Sequence, residues 1–246
     1  MKKSFLNKII GLFFLLILWY LLSKTFNPII LPSPFEVANS MINSFKNLNI
    51  FSNLGITVFR AFLGLIFSFI IGFPLGVFMG INKTFYETIR PLVTFIQSMP
   101  VISWVLLALI WLDNKLIPLF VVVAAVIPII ILNIAEGIKR VDEKLLQMAD
   151  IYNFSKIKIL KNIYIPSVAG YFESSLKIVL GNSFKVVVMA EVLSHPGMGI
   201  GEQMSWARIN IETADLLAWS IIVVLITFFF MELMNLFFRS KSDKSK

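Results

Sequence analysis

The sequence contains no cysteine and only one histidine, His195. Without cysteine the chain can form no disulfide, thiolate metal site or cysteine nucleophile, and a single histidine excludes a histidine-rich metal centre. Charged residues are also scarce, at 15% of the 246 residues. A soluble domain of this length needs more polar surface to cover its core. The scarcity of charge therefore argues against a soluble globular domain.

Motifs for nucleotide hydrolysis, zinc-dependent proteolysis and a nucleophile elbow are also missing. The glycine-rich stretch from Gly197 to Gly201 is the nearest approach to a phosphate loop, but no strand precedes it and no Lys-Ser/Thr pair follows it. We interpret it as a tight external turn, and His195 beside it as an ordinary loop residue. The chain is predicted to be non-catalytic, with no metal or cofactor of its own.

Hydrophobic residues make up 58% of the sequence, and the mean hydropathy is +0.85. The apolar and polar stretches do not alternate as in a membrane β-barrel, so helices are the only plausible spanning elements. We predict an all-α membrane protein with six transmembrane helices. The predicted spans are residues 9–22, 57–81, 89–112, 116–135, 168–193 and 216–238, with the third broken near Pro100. The short charged stretch at 240–246 is expected to be a disordered tail.

The first apolar run follows three lysines, as it would in a signal peptide. No small-x-small cleavage site follows it, and with Phe5 and Leu6 the run can cross about 30 Å of hydrocarbon. We therefore expect a retained first helix rather than a cleaved signal. The polar stretch at 28–51 carries a weaker helical pattern through Val37, Met41 and Phe45.

Positive charge is distributed unevenly among the predicted loops. The net charge is +8, and most of the 22 lysine and arginine residues fall on the side that carries both termini and residues 141–166. The positive-inside rule places that side in the cytoplasm of a multi-pass cell-membrane protein. No basic and aromatic stripe marks a nucleic-acid surface, so the expected surroundings are lipid and not nucleic acid.

The second span carries a small residue at every fourth position: Gly64, Ser68, Gly72, Gly76 and Gly80. Such spacing lets two helix backbones approach closely in lipid. Packing within one bundle is favoured over a contact between subunits, because membrane helices are rich in glycine in general.

Polar residues interrupt the third and fifth spans. Charged groups in hydrocarbon are costly, so they normally face a bundle interior or a wet cavity. Two readings stay open, a lined pathway and a set of interhelical hydrogen bonds; Glu173 and Lys177, one turn apart, can also pair with each other. The candidate pathway residues are Gln97, Ser98, Met99, Lys177, Asn182, Ser183, Lys185 and Glu191, with the two lysines favouring an anionic cargo.

Residues 141–166, here called the coupling segment, form a basic amphipathic stretch between the fourth and fifth spans. Asp142 can cap a first short helix, and Asn153 is expected to end it because asparagine tolerates the left-handed conformation. Ser155 can cap a second helix, which Pro166 is expected to end. Two helices with apolar residues exposed to water need a groove to lie in. We therefore predict a soluble partner, rather than packing of the segment under its own bundle.

The coupling segment resembles the signature of the permease subunits of ABC importers, in the nitrate, sulfonate, taurine and bicarbonate group. That signature is Glu-Ala-Ala, three residues, glycine, and later Ile-x-Leu-Pro. Gln147 replaces the glutamate, so a salt bridge to the ATPase becomes a neutral hydrogen bond. Asn153 replaces the glycine, and Ile165 the leucine. The likeness extends along nearly the whole chain through Leu31-Pro32-Ser33-Pro34, Asn133, Glu136-Gly137, Val141-Asp142, Ala190-Glu191 and Gly197-Met198-Gly199.

This resemblance implies a type I ABC importer permease bundle with cytoplasmic coupling helices. The implied partners are a second copy of this chain, two ABC ATPase subunits that bind ATP and magnesium, and an extracytoplasmic binding protein. The implied domains are a first helix and external loop (1–55), a permease core (56–239) and a cytoplasmic tail (240–246). The implied ATPase-contact residues are Asp142, Leu145, Leu146, Gln147, Met148, Ala149, Tyr152, Asn153, Ser155, Ile163 and Pro166, with Gln147, Ala149 and Asn153 at the centre.

The expected function is uptake of a small anion such as a sulfonate, nitrate or taurine. An ABC permease for a vitamin precursor, such as a thiamine pyrimidine or riboflavin, is the alternative. An ion-coupled secondary transporter is disfavoured, because only Glu191 and Glu232 could serve as midplane carboxylates and no inverted repeat is evident. A scaffold subunit would explain the coupling segment but not the polar fifth span.

Overall fold

The computed structural model describes residues 2–46 and 49–243, and every regular element within those ranges is helical. The elements are α1 (Lys2–Thr25), α2 (Pro34–Lys46), α3 (Asn49–Ile81), α4 (Lys83–Ser98), α5 (Val101–Trp111), α6 (Ile117–Lys139), α7 (Glu143–Ile151), α8 (Lys156–Ile159), α9 (Ile165–Ser194), α10 (Ile200–Ile209) and α11 (Thr213–Asp243). A π-helical turn, Leu160–Tyr164, joins α8 to α9. The predicted all-α class is confirmed.

Three of the described helices are long and apolar enough to cross a membrane: α3, α6 and α11. The pair α4 and α5 qualifies as a fourth span, bent by 89° at the break between Ser98 and Val101. The sequence places this break at Pro100, which has no backbone N–H to continue the ladder of α4 and instead precedes the first residue of α5. The predicted interruption of the third span is thus confirmed.

The first and fifth predicted spans correspond to α1 and α9. Helix α9 has 30 residues, which is ample length, but its four charged residues keep it from matching the other spans in apolar composition. In α1 the described apolar part is Phe13–Thr25, which is shorter than a full span. That α1 and α9 also cross the membrane, which would make six spans, therefore remains a prediction. Retention of α1, rather than its removal as a cleaved signal, also remains a prediction.

The last helix runs further than predicted. Residues 240–243 continue α11 to Asp243 instead of forming a disordered tail, because serine, lysine and aspartate do not break a helix that is already propagating. The remaining residues of the predicted tail, 244–246, lie outside the described part of the chain.

Helix α2 confirms the weak pattern in the polar stretch after α1, and it begins with a capping box. The Ser33 backbone N–H donates to the Glu36 carboxylate over 2.6 Å, and the Glu36 N–H donates to the Ser33 hydroxyl over 3.3 Å. The Ser33 backbone N–H and the Ser33 hydroxyl both donate to the Glu36 carboxylate, and these two hydrogen bonds hold the pKa of Glu36 below its usual value. Further along α2, the Ser40 hydroxyl donates to Asp215 at the start of α11.

The small residues of α3 face α6 of the same chain. A methyl group added at Gly76 would lie 2.9 Å from the backbone oxygen of Ile131, and one added at Gly80 would lie 2.7 Å from the Ile138 side chain. Gly64 and Gly72 meet Val122 and Ile130 in the same way. The predicted internal packing is confirmed, since the atoms that crowd these glycines belong to α6 of the same chain.

Replacing Gly76 by Ala is expected to destabilise the protein by about 1–3 kcal/mol, because the added methyl must push the α6 backbone away. Gly55 is the matched control in the same helix, since a methyl there has nothing within 4 Å. Gly55→Ala should be neutral, or should stabilise the protein by about 0.4–1 kcal/mol, because alanine lowers the conformational entropy of the unfolded chain. Thermal unfolding of the two purified variants measures both effects, and equal midpoints would contradict the close helix contact.

Aromatic side chains join α3 and α9 to α11 on the other side of the core. The Phe184 ring is almost fully buried and stacks on Phe230 with ring centres 5.6 Å apart. Phe62 meets Phe230 edge-on at 4.9 Å. Offset and edge-on pairs of this kind add to the stabilisation from burial alone. Helix α9 is therefore fixed in the middle of the bundle, in contact with α3, α6 and α11.

Candidate functional site

The first helix of the coupling segment begins and ends as its sequence predicts. The Asp142 carboxylate accepts the Lys144 N–H over 2.9 Å at the start of α7. Asn153 has φ 50°, in the left-handed region, and the Phe154 N–H donates back to the Ala149 carbonyl over 2.9 Å. This is the hydrogen bonding of a Schellman motif, formed with asparagine where glycine is usual. Asn153 therefore ends the helix.

A small apolar cluster holds the coupling segment in shape. Ala149 is fully buried, and Ile163 and Val141 are nearly so, with Leu146 and Phe154 packed against them. Ala149 and Ile163 are predicted to contact a partner, and in this chain both are instead occupied by the segment's own cluster. Their contact with a partner stays a prediction. Both residues fold the segment on itself.

The opposite face of the coupling segment is apolar and exposed. Ile151 is 78% exposed and Ile157 is 77% exposed, although both are isoleucines. We define the apolar coupling face by its exposed members, which are Leu145, Met148, Ile151, Tyr152 and Ile157. Gln147, Asn153 and Ser155 are exposed beside this face, and lysines at 156, 158 and 161 border it. Several large apolar side chains exposed on one short segment, with charged residues close to them in the chain, are typical of an interaction surface.

The second helix of the coupling segment does not stop at Pro166. Ser155 caps α8 as predicted, with its hydroxyl accepting the Lys158 N–H over 3.3 Å. Helical backbone angles then continue through the π-helical turn into α9, where Pro166 lies in the first turn. A π-helical turn widens the helix where proline would otherwise clash with the preceding turn. The predicted end at Pro166 is therefore wrong, and the segment is continuous with α9.

A buried ion pair lies at the other end of α9. Arg60 Nη1 of α3 is 2.6 Å from Glu191 Oε1, with the Glu191 side chain fully buried and that of Arg60 nearly so. The Thr57 hydroxyl lies 2.8 Å from the other carboxylate oxygen, which also accepts the Gly201 N–H over 3.0 Å. A buried charge needs a partner and further hydrogen bonds to be tolerated, and Glu191 has both.

The same cluster fixes the glycine turn between α9 and α10. Arg60 also donates to the Met198 carbonyl over 2.7 Å, and Asn53 accepts the Gly199 N–H over 3.0 Å. Gly199 has φ 132°, and a methyl group there would lie 2.5 Å from the Glu191 carboxyl group. The predicted tight turn is confirmed, and it requires glycine for both reasons. His195, with φ 49°, ends α9 at the start of the turn.

Glu191, Ser183 and Lys177, which are candidate pathway residues, have internal partners. Glu191 is paired with Arg60 as described, and the fully buried Ser183 hydroxyl donates to the Leu180 carbonyl over 2.9 Å. Lys177 forms the predicted ion pair with Glu173, at 2.7 Å. Ser183 and Glu191 are thus engaged inside the bundle in this conformation, and their assignment to a lined pathway stays a prediction.

Two cavities contain other candidate pathway residues. Gln97, Met99 and Asn182 come together around a cavity of about 200 Å³ between the α4–α5 break, α6 and α9. Lys185 lines a recess of about 450 Å³ formed by α5, α9, α10 and α11. Ser98 lies beside the first cavity in sequence, but its hydroxyl donates to the Thr94 carbonyl of its own helix.

A third cavity, of about 350 Å³, is absent from the sequence predictions. It lies between α2, α3, α10 and α11, and its polar lining includes Ser40, Asn53, Gln203 and Asp215. In residues 2–46 and 49–243, no three His, Cys, Asp or Glu side chains are close enough together to hold a metal ion.

Arg60 falls inside the second predicted span, residues 57–81, but its sequence position does not reveal its partner. Arg60 and Glu191 are 131 residues apart, and the rule that charges inside a membrane are paired could have joined them. Thr57 lies close to Arg60 in α3, so a pattern of polar residues on one face of a helix was the available signal.

The packed apolar helices, the segment exposed between two of them and the paired interior charges define a helical membrane protein of the transport class. The model of the family described as binding-protein-dependent transport system inner membrane component matches residues 72–242. The chain belongs to this family, and it is an inner-membrane transport component.

Relatives with curated names are transport permeases. The chain is 31% identical to the bicarbonate transport system permease protein CmpB of Synechococcus elongatus, over 54% of this chain and 48% of that protein. It is 27% identical to the nitrate import permease protein NrtB of the same organism, over 81% of this chain and 75% of that protein. The chain thus spans about half the length of the bicarbonate permease.

A solved structure has the same fold. The inward-facing MetNI methionine ABC transporter superposes with a TM-score of 0.65 and 15% sequence identity, covering 77% of this chain and 94% of that one. At this identity the likeness shows the fold alone. The predicted type I ABC importer permease fold is confirmed.

Proposed function

We propose that this chain is the membrane-spanning subunit of an ATP-driven importer for a small anion. Family membership supports the importer class, and the bicarbonate and nitrate permease relatives support an anionic substrate. In this proposal the chain works as a pair of identical copies with two ATP-hydrolysing subunits and an extracytoplasmic binding protein. ATP and magnesium bind the ATP-hydrolysing subunits, and both termini of this chain lie in the cytoplasm.

The apolar coupling face is the observation that carries the proposal. Ile151, Tyr152 and Ile157 each expose most of their surface in a segment that ends a bundle of apolar helices. Large apolar side chains on short, capped helices fit a hydrophobic groove on a partner, and burying them there is favourable by about 25 cal/mol per Å². The lysine rim suits an acidic border around such a groove. The proposed partner is the ATP-hydrolysing subunit.

The connection from the coupling face to the bundle supports a mechanism of alternating access. The segment continues through the π-helical turn into α9 without a break in helical backbone. Helix α9 carries Lys185 and Asn182 at the cavities and Glu191 at the glycine turn. Movement of the coupling face by ATP binding to the partner would thus be transmitted along one helix to both the cavities and the opposite end.

The buried ion pair disfavours secondary transport. Glu191 is the carboxylate best placed to relay a coupling proton, but its oxygens already accept hydrogen bonds from Arg60, Thr57 and Gly201. A transported proton or sodium ion would have to break that pairing in every cycle.

Uptake by reconstituted complexes tests the proposed function. Proteoliposomes containing this chain, its ATP-hydrolysing subunit and its binding protein are assayed with isotopically labelled nitrate, bicarbonate and a thiamine pyrimidine. We expect anion uptake that requires ATP and persists when ionophores collapse the ion gradients. Uptake that continues without ATP and stops with ionophores would contradict an ATP-driven importer, and uptake of the pyrimidine alone would contradict an anionic substrate.

A further inference from the structure

Lys185 is a charged residue in the middle of α9 that has no charged partner in the described part of the chain. Arg60 and Glu191 form one ion pair, Lys177 and Glu173 form another, and Glu232 accepts a hydrogen bond from Asn235. Lys185 makes neither an ion pair nor a hydrogen bond with any residue in the described part of the chain. Its ammonium group has three donors and no acceptor capacity. This side chain therefore needs an anionic or water partner.

The depth of Lys185 in α9 excludes an easy escape to the membrane surface. It lies eight residues before Leu193, where the predicted span ends, which is about 12 Å along a helix. A lysine stem of four methylenes does not extend that far, so the ammonium cannot simply reach the interface. Because an unpaired charge in hydrocarbon is costly, an intramembrane lysine of this kind marks a wet cavity or a ligand site.

The recess beside Lys185 has the composition of a site for one negative charge. Its walls are apolar and include Ile102 of α5, Met189 of α9 and Met204 of α10, and no carboxylate lines it. The Ser220 hydroxyl, also in the lining, already donates to the Leu216 carbonyl. The Lys185 ammonium is exposed at this open recess and is thus the group that would bind a ligand through charge.

We propose that the recess is a binding site for a small monovalent anion held by the Lys185 ammonium. One positive charge balances one negative charge, whereas a divalent anion would leave an uncompensated charge among apolar walls. The recess favours nitrate over sulfate on this ground. The inference deepens the proposed function, on which it rests, by assigning the charge class of the anion and the residue that selects it. The cavity at Gln97 has a neutral lining, and the cavity at Asp215 a neutral and acidic one.

A cysteine reporter in the recess tests this site. The chain has no native cysteine, so Met189→Cys gives a unique thiol beside Lys185. Full-length protein in membrane vesicles is treated with an anionic and a cationic thiosulfonate reagent. We expect the anionic reagent to react with this thiol about tenfold faster than the cationic reagent does. A ratio of this size is expected when one nearby positive charge, partly screened by salt, attracts one reagent and repels the other. Adding Lys185→Gln should abolish that preference, and adding Lys185→Arg should keep it. Lys177→Gln is the matched control, because Lys177 is paired with Glu173 and its loss should leave the preference for the anionic reagent unchanged.

Protection by anions completes the test. With an uncharged thiol reagent, nitrate should slow labelling of Met189→Cys several-fold, and sulfate at matched ionic strength should not. Protection should disappear with Lys185→Gln. Equal reaction of both charged reagents, no labelling by any water-soluble reagent, or equal protection by sulfate would overturn the proposal. If Met189→Cys does not fold, Ser220→Cys serves as the reporter. The assay needs neither ATP nor a binding protein, so its failure is distinct from failure of ATP-driven uptake.

Discussion

Replacement of Glu191 by Ala is expected to destabilise the protein by about 3–5 kcal/mol, because it leaves the buried Arg60 guanidinium without its counter-ion. For a chain of this length that corresponds to a fall in the unfolding midpoint of about 10 °C. The glycine turn should loosen at the same time, since Gly201 loses the carboxylate that accepts its N–H. Thermal unfolding of the purified protein, followed by intrinsic fluorescence, measures the fall.

Two controls separate the ion pair from the loss of any charged side chain. Lys177→Met removes one member of the half-exposed pair with Glu173, and exposed pairs contribute only about 0–1 kcal/mol. The double replacement Arg60→Met with Glu191→Met removes both buried charges and should recover much of the loss. Similar midpoints for Glu191→Ala and Lys177→Met would contradict a structural role for the buried pair.

Replacement of Ile151 by Asp should weaken binding of the ATP-hydrolysing subunit by about 30-fold or more, the effect of removing a central interface residue. Ile151 is 78% exposed in the isolated chain, so the substitution leaves its own fold intact. Co-purification of the two subunits from detergent extracts measures the loss. Ile151→Leu keeps the apolar contact and should co-purify normally, and retained binding of Ile151→Asp would contradict the apolar coupling face.

Ala149 supplies a contrast within the same segment. A glutamate there would place a charge inside the cluster of Ala149, Ile163 and Val141, so it should unfold the coupling segment. Limited proteolysis distinguishes the two cases. Ala149→Glu should become cleavable within residues 141–166, while Ile151→Asp should stay resistant.

The large features of this fold follow from local sequence signals. Long apolar runs predict α3, α6 and α11, because helices alone satisfy their backbone groups in lipid. The four-residue spacing from Gly64 to Gly80 predicts a close helix contact, and α6 occupies it. Asn153 predicts its own left-handed conformation, since few other residues tolerate it. In each case the structure is determined by residues near one another in the chain.

The features that sequence reasoning missed depend on distant parts of the chain. The Arg60–Glu191 pair joins two helices whose relative rotation no single-helix pattern determines. The coupling segment has apolar residues on both faces of its short helices, so the sequence does not show that Ala149 is buried and Ile151 exposed. Pro166 is a reliable breaker of a regular α-helix, but a π-helical turn before it allows α9 to continue.

Site-specific crosslinking from the apolar coupling face tests the central claim most directly. Ile157→Cys gives a unique thiol on the 77% exposed position, to which a short photoactivatable reagent is attached in native membranes. The expected product is a covalent complex with the ATP-hydrolysing subunit. The thiol should be accessible to reagents applied on the side of the membrane to which ATP is added. A thiol that reacts only with reagents applied to the opposite side, or a crosslink to lipid alone, would contradict the claim that this face binds the ATP-hydrolysing subunit.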